Sequence, residues 1–260
     1  MNTTVNTTPL PKEDETVDDL IGGRLKIFQK ERGYRFSVDA LLLAHFIRIR
    51  RRARVVDLGT GSGIISIMLA YRFPSVHCVG IEFQEALADM ATRSVVLNHL
   101  EERIDIIHGD VKHIRDICTP QTFDTVVFNP PYRKLNAGRI NPEREKAAAR
   151  HELNGSLADF MKAAHYLAKD SGTVFVIYPA TRGTELLVRM RSNAIEPKRL
   201  TMVHSNRSSR AEFMLAEGVK RGGEELAITA PLFIYEENGI YSRDMEELFR
   251  NLSIPVESVC

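Results

Sequence analysis

From Ile21 onward, short apolar runs alternate with amphipathic stretches, the pattern of a parallel sheet whose strands are joined by crossover helices. Strands are predicted over Arg54–Leu58, His77–Glu82, Ile104–His108, Thr125–Asn129, Thr173–Tyr178, Leu200–His204 and Glu212–Glu217. Several are apolar throughout, as strands buried on both faces are. Between them, helices are predicted over Gly63–Arg72, Gln84–His99, Leu157–Ala168 and Arg182–Ser192. The last two strands are separated only by the polar loop Ser205–Ala211, too short for a crossover helix, so they are expected to be antiparallel. Leu226–Glu236 reads as a further strand-like run and Arg243–Leu252 as a closing helix. Ahead of the first sheet strand, Ser37 or Asp39 is expected to cap a helix whose apolar run docks on the sheet. Residues 1–18 are rich in Thr, Asn and acids and are expected to form a disordered tail, since they bury too little apolar surface to offset ordering entropy. Residues 19–260 then form a single domain, with 19–53 a helical lead-in and 54–260 the core.

Composition narrows the picture in two ways. Lys plus Arg number 35 against 34 Asp plus Glu, so no whole-protein field selects a polyanionic partner, and any such contact must be local. Cys78, Cys118 and Cys260 are too few and too scattered for a disulfide framework and lack zinc-ligand spacing. The N-terminal stretch has no apolar core of a signal peptide, and no apolar run approaches membrane-spanning length. The expectation is a cytoplasmic protein with no membrane partner and no obligatory protein partner.

Chemistry enters at Arg54-Val55-Val56-Asp57-Leu58-Gly59-Thr60-Gly61-Ser62-Gly63-Ile64, which reads strand, glycine turn, helix. Glycines there allow a tight turn and let the backbone approach a ligand with no Cβ in the way. The spacing is G-x-G-x-G, unlike the G-x-G-x-x-G of a dinucleotide pyrophosphate site. Glu82 closes the second strand, where an acid can accept hydrogen bonds from both ribose hydroxyls of an adenosine ligand. Asp110 closes the third strand; it suits an adenine amino group or, equally, the cap of the following turn.

The most specific signal is Asn129-Pro130-Pro131-Tyr132, where a strand stops against two prolines that cannot extend a ladder. A planar amino nitrogen is a poor nucleophile because its lone pair is delocalised. The Asn129 side-chain oxygen and the Pro130 carbonyl can each accept one of its N–H bonds, drawing it toward tetrahedral geometry. Tyr132 offers a flat face for a planar substrate. No metal and no strong general base are needed for attack on a cationic leaving group.

G-x-G-x-G, Glu82 and Asp110 in this order resemble the class I S-adenosylmethionine-dependent methyltransferases, over roughly Leu25 to Glu217. The resemblance implies a Rossmann-like, mostly parallel seven-stranded sheet with an antiparallel last hairpin and helices on both faces. It implies S-adenosylmethionine as cofactor, with S-adenosylhomocysteine as product and no metal. The methionine moiety would lie near Gly59, Thr60, Gly61 and Gly63, the ribose on Glu82 beside Phe83, and the adenine near Asp110 and Val111. Asp57 would sit beneath the loop, near the ligand's amino group, and Asn129 would also border the cofactor.

The tetrapeptide matches amino-methyltransferases acting on adenine N6, cytosine N4 or glutamine side-chain nitrogen. Gly33 to Leu43, Arg133-Lys134, Gly138-Arg139, Asn141-Pro142 and Ala149-Arg150-His151-Glu152 together resemble the bacterial valine-tRNA adenine-N6 methyltransferase family. That resemblance implies RNA, with tRNA near the anticodon the expected substrate, and catalytic roles for Asn129, Pro130, Pro131 and Tyr132. Arg133, Lys134, Arg139 and Arg150 follow the tetrapeptide and are expected to engage phosphates. The cluster Arg48, Arg50, Arg51, Arg52 and Arg54 reads equally as RNA contact or as a solvated helix end. Asn206-Arg207-Ser208-Ser209-Arg210 reads as a surface hairpin tip. Two alternatives stay open: a glutamine-N5 methyltransferase of the release-factor type, and a non-catalytic RNA-binding module of the same fold.

Overall fold

A computed structural model describes residues 8–32, 35–131 and 155–256. The chain opens with an antiparallel hairpin of β1 (Glu15–Leu20) and β2 (Leu25–Lys30), then α1 (Val38–Phe46). Alternation follows: β3 (Arg54–Leu58), α2 (Ile64–Arg72), β4 (His77–Glu82), α3 (Glu85–Leu97), β5 (Ile104–His108), a 3-10 turn over Val111–His113, and α4 (Ile114–Ile117). Next come β6 (Phe123–Phe128), α5 (Leu157–Leu167), β7 (Ala168–Pro179), α6 (Gly183–Ser192), β8 (Ile195–His204) and β9 (Ala211–Lys220). Two short strands, β10 (Ala227–Ile228) and β11 (Leu232–Phe233), and α7 (Arg243–Leu252) complete it.

The large sheet has nine strands, in the order β10-β8-β9-β7-β6-β3-β4-β5, with β11 also on β8. β7 and β8 each pair antiparallel with β9, and the other pairings are parallel. The antiparallel last hairpin and the mostly parallel sheet are as expected. The strand count differs from the expected seven because the run Leu226–Glu236 breaks into two edge strands around Pro231.

Strand alternation sorts the core into two layers. Val55, Val127, Phe175, Ile177 and Val203 face α1, α2 and α7. Val56, Leu58, Val126, Phe128, Val174 and Val176 face α5 and α6. After β5 the chain returns to place β6 beside β3, with Leu58 opposite Phe128. The residues that follow these two strands therefore emerge side by side at the order reversal, where open α/β sheets form their ligand crevice.

The N-terminal region corrects the sequence reading. Residues 15–18 belong to β1, so the expected disordered tail does not extend to 18, and the segment 19–53 is a strand hairpin plus one helix rather than a helical lead-in. Residues 1–7 lie outside the described residues. What the composition concealed is a tertiary anchor. Glu15, buried, receives the Arg93 guanidinium of α3 at 2.7 Å, and Arg93 also lies 4.8 Å over the Phe28 ring. Phe28 packs with Leu87 and Met90, and its N–H donates to Ser94 Oγ at 3.0 Å. The Arg93 pair holds the Glu15 carboxyl below the usual carboxylate range despite the opposing effect of burial.

Removing Arg93 strands a buried carboxylate whose next cation, Lys30, is 3.8 Å away. Arg93→Ala is expected to cost about 2–3 kcal/mol of stability and to open the hairpin to protease, as checked by urea unfolding and limited proteolysis. An unchanged midpoint and cleavage pattern would show that the hairpin is not anchored through this pair.

Candidate active site

The glycine turn is built by three left-handed residues. Gly59, Gly61 and Gly63 have φ of 69°, 60° and 86°, values that cost an L residue about 1–2 kcal/mol. A Cβ at Gly59 would stand 3.2 Å from the Phe160 ring, and one at Gly63 the same distance from Ala91. Gly59 and Thr60 donate their N–H groups to the Ile81 carbonyl at 2.8 and 3.1 Å, tying the turn to the end of β4.

Two buried carboxylates hold this turn from below and from the side. Asp57 accepts from Thr60 Oγ1 at 2.6 Å and Ser66 Oγ at 3.0 Å, both through Oδ2. Glu82 accepts the Gly61 N–H at 2.9 Å on Oε2 and the Gln84 N–H at 2.9 Å on Oε1. Burial pushes the Asp57 carboxyl up to about 6, against the pull of the Thr60 and Ser66 hydroxyls, and the nearby Glu82 charge adds to the rise. Burial raises Glu82 too, opposed by the backbone donors of Gln84 and Gly61.

Three buried oxygens around the turn have no hydrogen-bond partner among the described residues: Asp57 Oδ1, Ser62 Oγ and Asn129 Oδ1. Such groups cost about 1–3 kcal/mol each if left unmet, so their gathering marks where a polar ligand belongs. Asn129 follows β6, and its amide donates from Nδ2 to Asp39 Oδ2 at 2.9 Å. Pro130 is buried beside it and Pro131 half-buried.

The remaining expected residues are placed as follows. Asp110 caps the 3-10 turn, accepting the Lys112 N–H at 2.9 Å, with Lys112 Nζ at 3.4 Å. Val111 is buried beneath it. Phe83 is 39% exposed, with its ring 5.9 Å from Lys112 Nζ and its carbonyl 2.9 Å from His108 Nε2. Tyr132, Arg133, Lys134, Arg139 and Arg150 lie outside the described residues. Arg50, Arg51 and Arg52 are exposed and precede Arg54, the first residue of β3, so they sit at the sheet edge opposite the crevice. This geometry favours the solvated reading over RNA contact, in a turn rather than at a helix end, since α1 stops at Phe46. Arg207, by contrast, lies in the β8–β9 connection on the crevice side, 4.8 Å over the Phe233 ring.

Three residues escaped sequence reasoning. Ser62 and Ser66, in the glycine turn and at the start of the helix after it, received no role there. Asp39 read as a helix cap; buried at 4% exposure, it instead receives the amide of Asn129. An acid opening an otherwise apolar helix was the available signal.

Comparison with known proteins shows the fold and the family. The crystal structure of a predicted O-methyltransferase, Atu636 from Agrobacterium tumefaciens, shares the fold, with a TM-score of 0.68 and 22% identity over 82% of this chain and 96% of that one. A SAM-dependent methyltransferase from Aquifex aeolicus also superposes, with a TM-score of 0.51 and 15% identity over 70% of this chain and 89% of that one. The fold is thus that of S-adenosylmethionine-dependent methyltransferases. The family model "Methyltransferase small domain" matches residues 37–190, and the chain belongs to that family. Among curated relatives, a tRNA1(Val) (adenine(37)-N6)-methyltransferase of Actinobacillus succinogenes is 30% identical over 82% of this chain and 88% of its own length. One of the same name from Porphyromonas gingivalis is 29% identical over 74% and 76%.

The raised Asp57 carboxyl makes a prediction about stability. An acid that holds its proton more tightly in the folded state contributes stability below its unfolded value, and that contribution is lost as pH rises through the folded value. Between its ordinary 3.8 and about 6, the wild type is expected to lose about 2–3 kcal/mol relative to Asp57→Asn. Urea midpoints of both proteins across this range check it; a gap that does not change with pH would sink it.

Proposed function

We propose that this protein is an S-adenosylmethionine-dependent methyltransferase that modifies the exocyclic N6 of an adenine in tRNA near the anticodon; the curated relatives are named for adenine 37 of tRNA1(Val). The carrying observation is the Asn129 carbonyl oxygen: buried, unpartnered among the described residues, and beside a glycine turn lined by two buried carboxylates.

The residues present suit the cofactor. Gly59, Thr60, Gly61 and Gly63 form the turn that borders its methionine portion. The open Asp57 Oδ1 suits its ammonium group. Glu82 spends one lone pair per oxygen on backbone donors and keeps the others for the two ribose hydroxyls. Asp110, Val111 and Phe83 border the place of its adenine. When bound, S-adenosylmethionine supplies an electrophilic methyl on a sulfonium that leaves as a neutral thioether.

The chain's own work is therefore orientation. Asn129 Oδ1 and the Pro130 carbonyl accept the two N–H bonds of the adenine amino group and weaken its conjugation with the ring. Pro130 and Pro131, which lack N–H groups, fix the backbone that carries them. Tyr132 stacks on the base after it is unstacked from a single-stranded loop, where that costs least. Alignment of nucleophile and methyl accounts for several kcal/mol of the barrier. Arg133, Lys134, Arg139 and Arg150 hold phosphates without reading sequence.

The test is incubation of the protein with labelled S-adenosylmethionine and either total tRNA or a release factor, followed by mass spectrometry of nucleosides from the RNA and of the factor. N6-methyladenosine is the expected product; label found only in a release-factor protein would move the substrate to glutamine. Asn129→Ala is expected to keep the cofactor dissociation constant within about threefold while kcat falls by about 100-fold or more. Equal turnover in the variant would refute the role given to Asn129.

A further inference from the structure

We infer that Asp39 is the positioning residue that fixes which end of the Asn129 amide faces the reacting nitrogen, so that the site presents an acceptor and never a donor. The inference rests on the amino-group reading above. A carboxamide is nearly symmetrical in shape, and either end fills the same space. The wrong end would aim two N–H donors at an amino group that needs to donate, and substrate binding would fail there rather than merely weaken.

The structure contains the device that decides between the two. Asp39 Oδ2 lies 2.9 Å from Asn129 Nδ2, and a carboxylate accepts without donating. It therefore selects the amide nitrogen and turns Oδ1 away, to where it is buried and has no partner among the described residues. Asp39 is itself held. Its Oδ1 accepts the Ala40 N–H at 2.9 Å and a short bond from Ser37 Oγ, which fixes the carboxyl plane. Asp39 is 4% exposed, so no bulk water competes for the contact. Asp39 and Asn129 sit on separate elements 90 residues apart, which makes the pairing a property of the folded crevice.

An isosteric variant separates this role from a structural one. In Asp39→Asn, the new amide has one oxygen, and the Ala40 N–H claims it. Its NH2 then occupies the former Oδ2 position and faces Asn129, which must invert to answer it. The isostere is thus expected to be at least as harmful as truncation: about 100-fold lower kcat for Asp39→Asn, about 10-fold for Asp39→Ala, which leaves Asn129 free to sample both orientations. Both are expected to bind S-adenosylmethionine within about threefold of wild type. In an Asn129→Ala background, Asp39→Asn is expected to cause no further loss, since its target is gone.

Three results would overturn the inference: an Asp39→Asn enzyme milder than Asp39→Ala, losses that multiply in the double variant, or a cofactor affinity that falls with kcat. A readout independent of turnover uses the side-chain 15N–1H amide pair of Asn129, assigned by its disappearance in Asn129→Ala. It is expected to shift in Asp39→Asn and Asp39→Ala, and an unmoved pair would also overturn the inference. If the wild type labels no adenine in tRNA, the substrate reading falls. The amide resonances, read on the protein alone, still decide whether Asp39 orients Asn129.

Discussion

Asp57 and Glu82 are nearly removed from water at the end of neighbouring strands, and among the described residues neither has a cation within salt-bridge distance. Burying one carboxylate is costly, and placing a second nearby raises the cost. The fold meets part of it with local dipoles, the Thr60 and Ser66 hydroxyls on one acid and the Gly61 and Gln84 N–H groups on the other. What stays unmet is positive charge. Glu82 ties down the middle of the glycine turn through the Gly61 N–H, and Asp57 Oδ1 beside it stays without a partner among the described residues. A ligand with an ammonium, a sulfonium and vicinal hydroxyls answers each of these features in turn.

The sheet topology then brings the acceptor half of the reaction to the same spot. Leu58 and Phe128 are register partners, so the turn after β3 and Asn129 after β6 leave the sheet as neighbours. Phe128 packs on Phe160, whose ring also limits the space above Gly59. One α5 side chain thereby sets the clearance of the glycine turn and packs on the strand that leads to Asn129.

The parts of this arrangement that were legible in the sequence are the local ones. β3, β4 and β5 have the predicted bounds because each is a short, mostly apolar run ended by a glycine turn or an acid. α7 also has the predicted bounds, and the structure adds its cap, the Ser242 hydroxyl accepting the Met245 N–H. β7, β8 and β9 are longer than predicted because their outer ends, such as Lys169–Gly172 and Glu196–Arg199, carry polar residues that a hydrophobic pattern assigns to loops. Non-local pairings left no trace. Nothing in Glu15 announces an arginine on α3, and nothing in Asp39 announces an asparagine on the far side of three crossovers.

Those two hidden pairings are mechanically connected. Arg93 pins β1 to α3, and β2 rides with β1 through a full antiparallel ladder. On β2, the buried Gln29 accepts the Phe36 N–H at 2.9 Å and donates to Asp18 Oδ2 at 2.6 Å, while Arg35 pairs with the same Asp18 carboxylate. Residues 35 and 36 are thus tied to the hairpin immediately before Ser37 and Asp39 enter the crevice. A helix N-terminus with no such strap would fray on its exposed side. An orienting carboxylate must hold its plane against thermal motion to discriminate between the two ends of an amide. The β1–β2 hairpin, whose first strand overlaps the expected tail at residues 15–18, supplies that rigidity through the Gln29 and Asp18 side chains.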